Sequence, residues 1–282
     1  MNKGIIKLNK TSLLLVVIGF VCIVVALCGL YGTYKEYKDA EDKYNKVEEE
    51  FVQQIGHGNE EETLMTENES NDSETETKEE TPKIPWYEHV SVDLAGLQSK
   101  YSEVVGWLYF ENVAISYPLM QAADNNKYLR MAYDGSYSKA GSIFVEATHK
   151  SDFSEIHTLI YGHNQKDANM FGKLTKYYDY AWYTNSHKYF QIFSEDKIYR
   201  YKIFACQAVE VDSFVFRETP VSASTWANKL KEISIIKSDV VVNDGDRIVT
   251  LCTCTDDTKK RILVSAVLVG TYDRTEHTLI QN

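Results

Sequence analysis

The sequence predicts a mainly β domain, a closed or nearly closed barrel of eight strands, preceded by a single membrane-crossing helix. Three observations predict it. An uncharged apolar run stands near the N-terminus, an acidic stretch without apolar period follows, and beyond residue 84 come eight short β-branched and aromatic blocks divided by turn formers. The net charge of −11 is concentrated: residues 48–81 alone carry −12, which leaves the remainder near neutral. With no Lys/Arg excess to release counterions, a nucleic-acid partner is excluded.

Residues 13–30, LLLVVIGFVCIVVALCGL, hold no charge, and the uncharged stretch extends over 11–34. At about 1.5 Å per residue these lengths span roughly 27 and 36 Å, on either side of the roughly 30 Å hydrocarbon layer. Lys3, Lys7 and Lys10 precede the run, whereas Lys35 and Lys38 beyond it are mixed with Glu36 and Asp39. The positive-inside bias then puts residues 1–10 in the cytoplasm and everything after 34 outside. A cleaved signal peptide would have a shorter apolar region. A lipoprotein site at Cys28 would follow a small residue where Leu27 stands.

In 35–55, Tyr37, Tyr44, Val47, Phe51 and Ile55 recur at helical spacing, and we read the segment as a solvated stalk continuing the membrane helix. Residues 56–83 are dominated by Glu, Thr, Asn and Ser. Such a segment buries too little to offset its ordering entropy and reads as a disordered tether reaching roughly 30 Å.

The barrel domain is expected over 84–275, with 276–282 as a tail. A short helix is expected at 92–101 and strands at 105–110, 113–120, 141–146, 158–161, 188–193, 198–211, 247–254 and 262–272. Met170, Phe171, Leu174 and Tyr178 predict a helix over 168–178. A further helix over 224–237 would have Ser224 as N-cap and Trp226, Leu230 and Ile233 on one face. This last helix interrupts a connection that a tight hairpin would make in a few residues, and insertions of that kind often carry function.

Cys22 and Cys28 lie in the apolar run, leaving Cys206, Cys252 and Cys254 in the domain. Three is odd, so at least one thiol is unpaired. Cys206, within YKIFACQAV, reads as a small buried residue. Cys252 and Cys254 are two apart on a strand, a poor geometry for a disulfide. Cys254 ends the apolar strand RIVTLCTC, the polar TDDTKK follows, and Arg261 opens RILVSAVLVG. A hairpin would make Cys254 and Arg261 cross-strand neighbours, their Cβ atoms about 5 Å apart. There a guanidinium favours a thiolate and stabilises an oxyanion. The plainer alternative is that Arg261 balances Asp256 or Asp257. A thiol nucleophile that expels an amine also needs a proton donor, and His163 closes TLIYG at the turn GHN, where a side chain leaves the rim. His89, His149, His157 and His187 read as surface residues, His57 falls in the tether and His277 in the tail. No cluster has zinc-ligand spacing.

In these residues the chain resembles the class B sortases. The likeness is carried by TLCTC, with Thr250, Leu251, Thr253 and Cys254 matching the signature TLxTC, by KRILVSAVL with Arg261, and by LIYGHN with His163; VVGWLYF, KAGSIFVE and ANMFGKL support it in order. The resemblance covers about residues 90–272. It implies a sortase-like eight-stranded barrel with an N-terminal helix and an extra helix before the nucleophile strand, and a membrane-anchored cysteine transpeptidase that needs no metal or other cofactor. Cys254 would attack the carbonyl of a Thr in the C-terminal sorting signal of a secreted protein and form a thioester. His163 would protonate the leaving amine, and Arg261 would hold the oxyanion and substrate. A peptidoglycan-precursor amine or a pilin lysine would then take the acyl group. Thr253, Thr250 and Leu251 are further candidates for substrate binding, and Asp256 is the remaining acidic candidate. Cys252 stands where the family more often has a small hydroxyl residue, so a second thiol is expected near the site. Two alternatives stay open: a cysteine endopeptidase using the same residues, and an anchored, non-enzymatic binding module.

Overall fold

The computed structural model describes residues 10–55, 84–165, 169–254 and 259–281. Helix α1 (Lys10–Phe51) is continuous over 42 residues. Leu13, Phe20, Leu27 and Leu30 of its first half are exposed. Among the described residues it is the one helix long and apolar enough to cross a membrane.

The second half of α1 corrects the expectation of a solvated stalk. Ala40, Tyr44, Val47 and Phe51, spaced by three or four residues, are buried in the same core as the barrel. Ion pairs Lys43–Asp134, Lys100–Glu50 and Lys139–Glu36 border that face. An apolar stripe of helical period gains by being covered, about 1.5–3 kcal/mol for a side chain the size of Phe51. The folded unit therefore starts inside α1 and not at residue 84. Strand β1 (Val52–Gln54) pairs antiparallel with β2 (Val90–Val92), and Ile55 N donates to the His89 carbonyl at 2.9 Å. The tether expected at 56–83 lies outside the described residues. Its described flanks meet on the domain, where Gln54 is paired with Val90.

Helix α2 (Leu94–Lys100) is capped by Asp93, whose Oδ1 accepts from Gly96 N at 2.9 Å. Then come β3 (Val104–Phe110), β4 (Ser116–Met120), β5 (Ile143–Val145), β6 (His157–Gly162), helix α3 (Tyr180–Thr184), β7 (Tyr189–Phe193), β8 (Lys197–Glu210), helix α4 (Ala223–Glu232), β9 (Ile248–Cys254), β10 (Lys260–Asp273) and β11 (Thr278–Gln281). The eight expected strands are all present as β3 to β10. They close in the order β10-β8-β7-β3-β4-β5-β6-β9, with β9 pairing back onto β10. The pairs β4–β5 and β6–β9 are parallel and the other barrel pairs antiparallel. Strand β10 is long enough to pair with β9 through Val267 and with β11 from Gly270 onward, so part of the expected tail is a strand.

Alternation along the strands divides the core into two layers. Ile160, Val249, Leu251, Val264 and Ala266 belong to the larger cluster filling the barrel. Leu159, Ile248, Cys252 and Leu263 face outward and are covered by Phe204, Trp226 and Leu230, the last two from α4. This covering explains why the strands read as continuous apolar runs.

Two helices differ from expectation. The N-cap of α4 is Ser222, which accepts from Thr225 N, while Ser224 donates to Asp244. The helix ends at Glu232 because Ser234 Oγ accepts from Cys206 N and Ile235 N donates to the Cys206 carbonyl, tying the chain to β8; Ile233 is left exposed. Residues 172–178 form a 3₁₀ turn, not an α-helix, and Met170 before it has φ of 51°. A shortened chain of residues 84–282 should melt about 10 °C or more below one of residues 35–282 in a circular-dichroism melt. Equal melting temperatures would place the boundary at 84 after all.

Candidate active site

Strands β6 and β9 run parallel with Gly162 opposite Thr253, and β9 and β10 run antiparallel with Arg261 opposite Cys254. The next residue after each of the first pair is His163 and Cys254. The backbone thus places position 254 on the middle strand, with 163 on one side and 261 on the other. The period of two gives these positions the parity of the outward residues Leu159, Cys252 and Leu263.

His163 is held from several sides. Its Nε2 lies 2.8 Å from the Leu129 carbonyl oxygen, which can only accept, so Nε2 carries the hydrogen. Its own carbonyl accepts from Phe171 N at 2.9 Å. Burial holds the imidazole below its ordinary pKa, opposed by the Leu129 carbonyl and reinforced by Arg130. Gly162 before it meets a packing demand: a Cβ there would come within 2.6 Å of Cδ2 of the fully buried Phe171 ring. Arg261 is half-buried, and its Nη1 donates to the Lys260 carbonyl at 2.8 Å.

The lesser candidates are separated by burial. Thr250 and Leu251 are fully buried, as is Thr253, so their side chains stand away from solvent. Leu251 fills the barrel, and Thr250 Oγ1 lies 2.9 Å from both His157 Nε2 and Ser265 Oγ. Asp256 falls within 255–258, outside the described residues. Cys252 is buried in the outer layer, in register with Tyr161. Cys206 is buried, and burial pushes its thiol up to about 12, which suits an inert core residue.

Several groups escaped the sequence reading. His157 is buried and not on the surface; burial, with His149 nearby, drives its pKa down to about 3. It sits 5.2 Å from the Trp226 ring and so links α4 to β6 and β9. Tyr161 donates to Glu146 Oε2 at 2.9 Å. Beside them a cleft of about 690 Å³ runs between the β5–β6 connection, with Glu146 and His149, and the start of the β8–β9 connection, with Phe216 and Pro220. It opens on the outward side of β6 at Leu159, four residues before His163. The GHN turn, the strand-ending Cys and the Arg that opens the next strand announced themselves in the sequence; these groups did not, because buried polar partners are set by register. Among the described residues no three His, Cys, Asp or Glu side chains cluster as a metal site.

An eight-stranded barrel closed in this order, with a helical insertion before the strand that ends in Cys254, is the architecture of sortases, and the Sortase domain family matches residues 108–269. Sortase B of Listeria monocytogenes is 36% identical over 184 residues, which are 63% of this chain and 74% of that protein. Among solved structures, sortase B from Bacillus anthracis in complex with AAEK1 superposes with a TM-score of 0.63 at 26% identity, over 83% of this chain and 98% of that one. A Staphylococcus aureus sortase B–substrate complex gives 0.58 at 27% identity, over 62% and 83%. The chain belongs to the sortase family as a class B member, and is a transpeptidase.

Acid should loosen this outer layer. An unfolded imidazole takes up its proton below about 6.5 while His157 stays neutral to about 3, so the contribution is complete above 6.5 and is lost as pH falls. The loss from this residue is about 1.4 kcal/mol per pH unit. Urea melts at pH 7 and pH 5 should show a smaller acid loss for His157→Gln than for the wild type. Equal losses would contradict the neutral, buried imidazole.

Proposed function

We propose that the chain is a membrane-anchored transpeptidase in which Cys254 is the nucleophile, His163 the general acid and base, and Arg261 the oxyanion and substrate anchor. The observation that supports this is the strand register, which brings 163, 254 and 261 to the same end of three adjacent strands. A Cys254 thiolate adds to the carbonyl carbon of the Thr in a sorting signal, and the arginine stabilises the oxygen that becomes negative. The C–N bond then breaks, and the departing amine takes a proton from the His163 imidazolium. In the second half, an acceptor amine attacks the thioester, its proton passes to His163, and the thiolate leaves. With Nε2 engaged by Leu129, Nδ1 is the nitrogen that exchanges this proton.

The donor peptide is the C-terminal sorting signal of a secreted protein, and the acceptor is an amine of a peptidoglycan precursor or a pilin lysine. The cleft beside β6 and the insertion over 212–246 suit an extended peptide running toward His163. Residues 11–34 cross the membrane with 1–10 inside, so the domain faces the side where such partners are found.

The full chain in detergent, given Thr-containing sorting peptides and triglycine, should yield a ligated mass and a thioester mapped to Cys254. Cys254→Ala should abolish both while the melting temperature stays the same. Arg261→Met should lower kcat by about 10²-fold, the loss typical of a removed oxyanion donor. Hydrolysis without ligation across several amines would favour the endopeptidase reading. A Cys254→Ala chain that still ligates would overturn the assignment.

A further inference from the structure

The juxtamembrane half of α1 reaches the wall of the candidate site through one side chain. Tyr44 is buried, its hydroxyl donates to the Gly141 carbonyl at 2.6 Å, and it stands 3.1 Å from Ser142 Oγ. Burial pushes its phenol well above the usual range, so it remains a neutral donor. Gly141 has φ of 60°, a conformation that glycine adopts without strain. A Cβ there would come within 2.5 Å of the Tyr128 carbonyl oxygen, 3.0 Å of the Leu129 carbonyl oxygen and 3.0 Å of His163 Cδ2. The residue that Tyr44 holds is therefore the shelf on which the imidazole lies, beside the carbonyl that takes its Nε2 hydrogen. Ser142 fastens the same shelf, its N donating to Tyr128 O at 3.0 Å and its Oγ to Met131 O at 2.9 Å.

A second route leaves the same ring. Tyr44 meets Tyr117 edge-on, with centroids 5.4 Å apart, and the Tyr117 hydroxyl accepts from Met170 N at 3.1 Å. The next residue, Phe171, donates its N–H to the His163 carbonyl. One residue of the membrane helix thus braces both the surface under the imidazole and the loop that returns past its backbone.

We propose that Tyr44 is a positioning residue for transpeptidation, and that the docking of α1 through its hydroxyl sets the orientation of His163. The proposal rests on the role of His163 given above. It makes the membrane helix a working part of the site and not only an anchor. A ring that merely filled space would need no hydroxyl, and Phe at 44 would serve as well.

The test uses the full chain in detergent and Tyr44→Phe, which keeps the ring and removes the hydroxyl. Thioester formation should slow about tenfold in kcat, the scale of one lost hydrogen bond, with KM almost unchanged. The midpoint of the His163 imidazole titration, followed by NMR, should move as well. Ser142→Ala loosens the same shelf with Tyr44 in place; it should shift both readouts in the same direction and serves if Tyr44→Phe does not fold. Unchanged kcat, or a lower kcat with an unmoved His163 titration, overturns the proposal whatever the melting temperature does. His163→Ala separates the two layers. If it keeps wild-type turnover, the role of His163 fails; if it is inactive while Tyr44→Phe is wild-type, only the role of Tyr44 fails.

Discussion

The closure of the barrel along β6, β9 and β10 is the constraint on which the rest depends. Strand β9 is hydrogen-bonded on both edges, parallel to β6 and antiparallel to β10, and its register is fixed over its whole length. A slip of one residue would send Leu251 out of the barrel and Cys252 into it, reversing two buried layers at once. The same pairing that fixes the core therefore fixes which residues meet at the strand ends. No flexible loop has to find position 254 from a distance; it ends a strand whose neighbours carry 163 and 261.

Around that seam the protein uses each surface twice. Helix α4 covers the outward layer and, through Trp226, rests on the buried His157. The lower part of α1 covers another flank and, through Tyr44, touches the shelf under His163. The apolar run and the barrel are joined by one continuous helix, so the domain is mechanically coupled to whatever holds residues 13–30.

Much of this was legible in the sequence, for a definite reason. The β-branched blocks announce strands because each is buried on at least one face, and a Cys at the end of such a block, a polar turn and an Arg at the start of the next define a hairpin without any structure. His163 stood out because GHN breaks a strand. What could not be read was pairing across long separations. The period of Tyr44, Val47 and Phe51 says that a face seeks cover but not which surface supplies it, and the charged residues between them suggested solvent. His157 looked like a loop residue because the partners that bury it, Thr250 and Trp226, lie more than sixty positions away. Thr250 and Leu251 stood out through the TLxTC match, but a motif does not announce that both side chains are buried within a paired strand.

The central claim, that position 254 lies between an imidazole and a guanidinium, is tested most directly by the pH dependence of Cys254 modification. The rate with a methanethiosulfonate reagent, read at Cys254 by mass spectrometry, is compared in the wild type, His163→Ala and Arg261→Met. If the groups are neighbours, each substitution displaces the thiol's titration midpoint, with the Arg261 change moving it upward as a nearby cation is lost. Three superimposable curves would contradict the account.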